Sequence, residues 1–258
     1  SIFWFEYAHR LLGRAIGIIF FLPFLYFLFT KKVNKTLTPK LITMFILGGL
    51  QGLMGWYMVK SGLIDDPHVS QYRLTAHLSL AIIIYGYMFW VALDLLFPKD
   101  NTIATVMNPK LSQLAMIITT IIFITIMSGG FVAGTRAGFA FNTFPLMNEQ
   151  LIPDGLFEMQ PVWHNFFENI MTVQFDHRVL ATVLFLAIPA FWLKTRKFNL
   201  NTTAQIGIHL LLAALILQIT LGISTLLLIV PVSLAAAHQA GAVILLTASL
   251  FVSHQLRH

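Results

Sequence analysis

The chain has no cysteine among its 258 residues, which excludes structural disulfides, thiolate-bound metals and thiol chemistry. That absence says nothing about compartment. Charge is the second scarcity: Asp, Glu, Lys and Arg make up 10% of the residues, against about 25% in ordinary soluble domains. Alternation of apolar and polar residues at period two, the mark of a membrane barrel strand, is missing as well. These shortages exclude a water-soluble domain and a barrel.

What fills the chain is apolar: 57% of residues are hydrophobic and the mean hydropathy is +0.80. A bilayer core about 30 Å thick needs roughly 20 apolar residues per helix. Residues 11–29, 41–59, 74–93, 111–132, 179–193, 206–230 and 234–252 meet or approach that length. The fifth run is short and holds Pro189, and it is expected as a kinked or tilted helix starting near Asp176. The runs are apolar on every face, so the fold class is an all-α polytopic membrane protein. No signal peptide is visible and Ser1 is not a start methionine, so the chain is expected to begin part-way through a longer precursor.

The net charge of +6 is explained by topology rather than by an anionic partner, and no nucleic-acid partner is expected. Lys31, Lys32, Lys35, Lys40, Lys99, Lys110, Lys194, Arg196, Lys197 and Arg257 fall in one set of connections, with only Asp94 and Asp100 as acids. Arg10, Arg14, Lys60, Arg73, Arg136 and Arg178 fall on the other face beside eight acids. The positive-inside rule places the first set in the cytoplasm or matrix and Ser1 outside.

Self-similarity comes next. Glu6-Tyr-Ala-His9-Arg10 matches Gln174-Phe-Asp-His177-Arg178, Leu50-Gln51-x-x-x-Gly55 matches Leu217-Gln218-x-x-x-Gly222, and His77 answers His238. Helices one to three thus correspond to helices five to seven in the same orientation. Helix four has no partner, so a first helix and an outer loop are expected to be absent ahead of Ser1. Residues 133–175 would be the second-half counterpart of that loop.

His9, His77, His177 and His238 all fall near the outside start of inward-running helices, at one depth. Within each half, two imidazoles facing across a bundle could ligate one haem iron from opposite sides. Gly13, Gly17, Gly48, Gly49, Gly52, Gly55 and Gly241 offer room for close approach. A single interfacial histidine is more often a hydrogen-bonded structural residue, but four at repeated positions point to function. Zinc sites usually take a carboxylate or more N/S ligands, so paired histidines suit haem better. His68, His164, His209, His254 and His258 are read as structural.

Glu6 shares a helix face with His9 and Arg10. A Glu6–Arg10 ion pair is one reading of it; the other is proton-coupled chemistry, since the matching position is Gln174 and only the first half has an ionisable group beside its histidine. Arg10 and Arg178, next to the histidines, could pair with haem propionates. Lys60, Arg73 and Arg136 are weaker candidates that interfacial snorkelling explains nearly as well.

Glu6-x-x-His9-Arg10, Gly52-Leu-Met-Gly-Trp-Tyr-Met-Val-Lys-Ser-Gly62, Val69-Ser-Gln-Tyr-Arg73 with His77, Asn142-Thr-Phe-Pro145, Phe175-Asp-His-Arg178 and His238-Gln239 resemble the haem A synthase family almost end to end. Loop residues 142–175 lack the cysteine pairs of some members, which resembles the mitochondrial and proteobacterial branch. The resemblance implies two four-helix bundles: residues 1–110 as an N-terminal half-bundle with the substrate haem site, and 111–258 as a C-terminal bundle with the cofactor haem site. It implies oxidation of a ring methyl of haem O to the formyl of haem A, supplying cytochrome c oxidase. His177 and His238 would hold a haem b cofactor, His9 and His77 would stand at the substrate, and Glu6 would be the catalytic carboxylate. Haem O synthase and an electron donor are the implied partners, in a bacterial plasma membrane or mitochondrial inner membrane. Two other readings stay open: a quinol-linked dihaem electron-transfer protein, which the Glu6/Gln174 asymmetry disfavours, and a transporter, whose sites lie nearer the midplane.

Overall fold

Asn169 shows why the fifth apolar run is not a short helix. Its side-chain carbonyl accepts from the Met171 and Thr172 amides at 3.0 and 3.3 Å, an N-cap. The helix therefore starts at Ile170 rather than near Asp176, runs to Thr195 and carries Pro189 inside it. Asn201 caps the next helix in the same way through the Ala204 amide at 2.7 Å.

The computed structural model describes residues 2–60, 69–98 and 109–257, with the backbone only at residues 2, 3, 5, 6 and 60. His68, Lys99, Asp100 and His258 lie outside the described residues. Among the described residues seven long helices follow one another: α1 (Ile2–Phe29), α2 (Leu37–Lys60), α3 (Gln71–Leu96), α4 (Pro109–Gly134), α5 (Ile170–Thr195), α6 (Thr202–Leu227) and α7 (Val232–Gln255). All are long and apolar enough to cross a membrane. They outrun the apolar stretches because the bilayer sets only the length of the greasy part; polar and charged residues continue the helices at its edges. Two short 3₁₀ turns, Ala137–Phe139 and Val162–Phe166, lie in the connection between α4 and α5.

Helices α4, α5, α6 and α7 pack in a closed ring, each against the next and α7 back against α4, which leaves α5 and α7 on a diagonal. Leu111, Ile122, Ile188, Leu211, Leu245 and Val252 fill this bundle. Helices α1, α2 and α3 form an arc, joined to the ring where α3 lies against α4 and α7. The spans of α1 and α2 are only 6% buried, against 28% in α4 and α7, so the solid core belongs to the ring.

Burying apolar surface does not drive helices together in lipid; close backbone approach and interhelical hydrogen bonds do. Gly130 and Gly134 press α4 onto α3. A Cβ at Gly134 would lie 2.6 Å from the Gln71 Cα, and one at Gly130 would lie 2.9 Å from the Thr75 hydroxyl. In the α4–α7 seam the buried Thr119 hydroxyl meets Ser249 at 2.6 Å and Ser253 at 2.9 Å. At the lysine-rich end, Asp94 of α3 accepts from Lys40 of α2 and from the fully buried His254 of α7, both at 3.1 Å. Arg257 stands 3.9 Å away. One carboxylate thus ties arc to ring.

Candidate functional site

His177 is the eighth residue of α5 and His238 the seventh of α7; His9 is the eighth of α1 and His77 the seventh of α3. Consecutive helices alternate in direction, so all four lie about two turns in from the same end of the molecule.

The second-half pair is brought together. The His177 and His238 rings face each other across the diagonal of the ring, centroids 6.5 Å apart and planes at 81°. Both are half-buried. Each leans on a glycine of a neighbouring helix: a Cβ at Gly129 of α4 would come within 3.3 Å of the His177 Cε1, and one at Gly222 of α6 within 2.8 Å of the His238 Cε1. Ser128 of α4 places its hydroxyl 2.6 Å from His177 Nδ1 and donates to the Thr125 carbonyl at 3.1 Å. His238 Nδ1 is buried without a well-formed hydrogen bond, with the Gln218 backbone carbonyl nearby.

In the first half His77 sits on the same kind of seat. A Cβ at Gly55 of α2 would come within 3.0 Å of the His77 Cε1, the same contact that Gly222 makes with His238. One turn earlier, the Gln51 amide donates to the His77 carbonyl at 3.1 Å and stands 3.4 Å from His77 Nε2. His77 Nδ1 is buried without a hydrogen bond. His9 is exposed on α1, near enough to act on His77 electrostatically. The α1 backbone carries Glu6 three residues before His9; the Glu6 side chain lies outside what the structure describes.

The donor set fits a haem. A metal–imidazole bond of about 2 Å, plus ~1 Å from nitrogen to ring centre, puts two axial imidazoles about 6 Å apart. The 6.5 Å separation matches that span. Two imidazoles with no thiolate also suit b-type ligation. Among the described residues no three His, Cys, Asp or Glu side chains gather as a metal cluster.

The flanking residues are more committed than their types suggest. The Arg178 guanidinium donates to the carbonyls of Phe141 at 2.8 Å, Thr143 at 2.9 Å and Leu146 at 3.4 Å, and to Gln174 Oε1 at 3.2 Å, leaving its buried Nε. Buried Gln174 donates to the Ala137 carbonyl at 2.9 Å. Both pin the connection after α4 to α5. Arg10 is exposed on α1, and Arg73 lies over the Tyr57 ring at 5.0 Å. Arg136 takes the left-handed backbone conformation (φ 56°) ahead of the first 3₁₀ turn. His209 bonds the Gln205 carbonyl at 2.7 Å and His164 packs edge-on against Trp163.

Reasoning from sequence passed over Ser128 and the Gln174 tie. The signal for the first was there, as Ser128-Gly129-Gly130 is a run of three small residues within α4; Gly129 serves His177 and Gly130 serves α3.

Fold and site together define a polytopic helical membrane protein with paired histidines on diagonal helices. The whole chain carries likeness to known proteins of this kind. Residues 1–250 match the family described as cytochrome oxidase assembly protein, COX15-CtaA, and the chain belongs to that family. It is 58% identical over 257 residues to "Heme A synthase" of Nitrosospira multiformis, covering 100% of this chain and 72% of that protein. It is 53% identical to "Heme A synthase" of Nitrosomonas eutropha, covering 99% and 72%. The plant protein "Heme A synthase COX15" of Arabidopsis thaliana is 48% identical, covering 99% of this chain and 58% of its own length.

Proposed function

We propose that this chain is a haem A synthase, an oxidoreductase that converts a ring methyl of haem O to the formyl of haem A. The observation that carries the reaction is the 58% identity over the whole chain to a protein of that name. The two histidine seats support a division of labour. His177 and His238, closed in by four helices, suit a resident group; His9 and His77 stand at the matching positions of the other half, beside Glu6, and suit the substrate. Residues 1–110 then form the substrate half and 111–258 the cofactor half.

A b-type haem held by His177 and His238 supplies a one-electron carrier beside the substrate half. The chain's own residues do the rest. Gly129 and Gly222 keep the imidazoles at the spacing an iron requires. His9 and His77 orient haem O. Two successive hydroxylations, each using one O2 and two electrons from the donor, followed by loss of water, turn the methyl into the formyl (R–CH3 + 2 O2 + 4 e− + 4 H+ → R–CHO + 3 H2O), and Glu6, one helical turn from His9, is the group placed to pass the protons. Arg10 takes a propionate in the first half, and in the second half the Arg178 Nε is the donor left for one.

The excess of basic residues at the opposite end supports a periplasmic or intermembrane side for the histidines. Haem O synthase as the source of substrate, and a separate electron donor, complete the reaction.

The test is expression of the full-length protein with haem O, followed by pigment extraction. Haem A is expected from wild type, with conversion lost in Glu6→Gln while haem is retained. Two equal, unmodified b-type haems and no haem A would instead establish an electron-transfer protein.

A further inference from the structure

Ser128 lies on α4, the helix without a counterpart in the repeat, and touches one histidine only. A serine in a membrane helix commonly returns its O–H to a carbonyl three or four residues back, and Ser128 does so to Thr125 at 3.1 Å. That bond uses the single hydroxyl proton. With the hydroxyl proton on that carbonyl, the oxygen lone pair 2.6 Å from His177 Nδ1 accepts, and Nδ1 carries the hydrogen. The Thr125 carbonyl, which can only accept, also lies within hydrogen-bonding range of this ring. The tautomer set by Ser128 leaves the Nε2 lone pair uncommitted.

The other ring of the pair is not treated this way. His238 Nδ1 is buried without a hydrogen bond, and the Gln218 backbone carbonyl lies near the ring. In the first half the contacted nitrogen is reversed: the Gln51 amide stands at His77 Nε2, while His77 Nδ1 is buried without a partner. Among the described residues, His177 is the one histidine of the four tied at Nδ1 by a side-chain hydroxyl.

We propose that Ser128 is a positioning residue that holds His177 as the Nε2 ligand of the resident haem and makes it the more strongly donating of the two axial imidazoles. The inference rests on the assignment of His177 and His238 to that haem. An acceptor on the far nitrogen raises the basicity of a metal-bound imidazole and fixes its orientation, which favours the oxidised iron.

The test uses the full-length protein with the haem it retains on purification, as wild type, Ser128→Ala, Ser128→Thr, His177→Ala and His238→Ala. In Ser128→Ala the ratio of reduced to oxidised haem at a fixed solution potential is expected to rise by up to about tenfold, which is 59 mV for one electron. Haem retention should weaken by about tenfold. Ser128→Thr, which keeps a hydroxyl, should return both toward wild type. An unchanged potential in Ser128→Ala, or an equal shift in the Ala and Thr variants, overturns the role of Ser128. Failure of the underlying assignment looks different: His177→Ala and His238→Ala would then keep the wild-type haem spectrum.

Discussion

Gln174 donates its side-chain amide to the backbone carbonyl of Ala137 at 2.9 Å, tying the second turn of α5 to the 3₁₀ turn that follows α4. Its other atom, Oε1, accepts from Arg178 at 3.2 Å. An amide serves both neighbours, which an ionised carboxylate cannot. The difference between Glu6 and Gln174 at matching places in the two halves therefore has a structural cause in the second half: a carboxylate there would set an acceptor against an acceptor.

Gln174→Glu is expected to destabilise the protein by about 1–3 kcal/mol, the cost of leaving a buried carbonyl unpaired. Thermal unfolding of the detergent-solubilised protein measures it. The loop should loosen first, read as earlier proteolysis within residues 137–169. A melting curve identical to wild type would remove any importance from the tie.

Glycines that seat histidines should behave unlike glycines that do not. A Cβ at Gly222 or Gly55 runs into the His238 or His77 ring, whereas one at Gly13 meets nothing within 4 Å. Gly222→Ala should displace His238 at an overpacking cost of about 1–3 kcal/mol and lower the resident haem per protein. Gly55→Ala should leave that haem in place and weaken haem O binding. Gly13→Ala should change neither. Haem content by absorbance separates the three, and equal haem loss in Gly13→Ala and Gly222→Ala would contradict the seating argument.

Asp94 should matter more than any one of its cations. Removing the carboxylate leaves His254, fully buried, without its 3.1 Å partner, a loss of about 1–3 kcal/mol. Lys40 is a third exposed, so Lys40→Ala should cost under about 1 kcal/mol. Thermal unfolding of Asp94→Ala and Lys40→Ala gives the comparison, and the reverse order would show that the carboxylate is not the hub.

The seven helices, the common depth of the four histidines and the family were legible in the residues. Bilayer thickness acts on each apolar run separately, and a helix satisfies its own backbone, so a one-dimensional reading suffices for both. Leu50-Gln51-x-x-x-Gly55 and its match at Gln218 and Gly222 were visible as a repeat, yet their use as seats for His77 and His238 was not. The short fifth run hid a full helix because its start depends on the Asn169 cap, outside the apolar pattern.

The sequence by itself determined seven apolar runs and the ionisable residues that flank them. The tertiary structure alone decided that α5 and α7 are diagonal, that Ser128 reaches His177, and that Arg178 is spent largely on loop carbonyls. The physical reason is that helix pairing in lipid follows from small residues and single hydrogen bonds between distant segments, and nothing in a local run of residues specifies those.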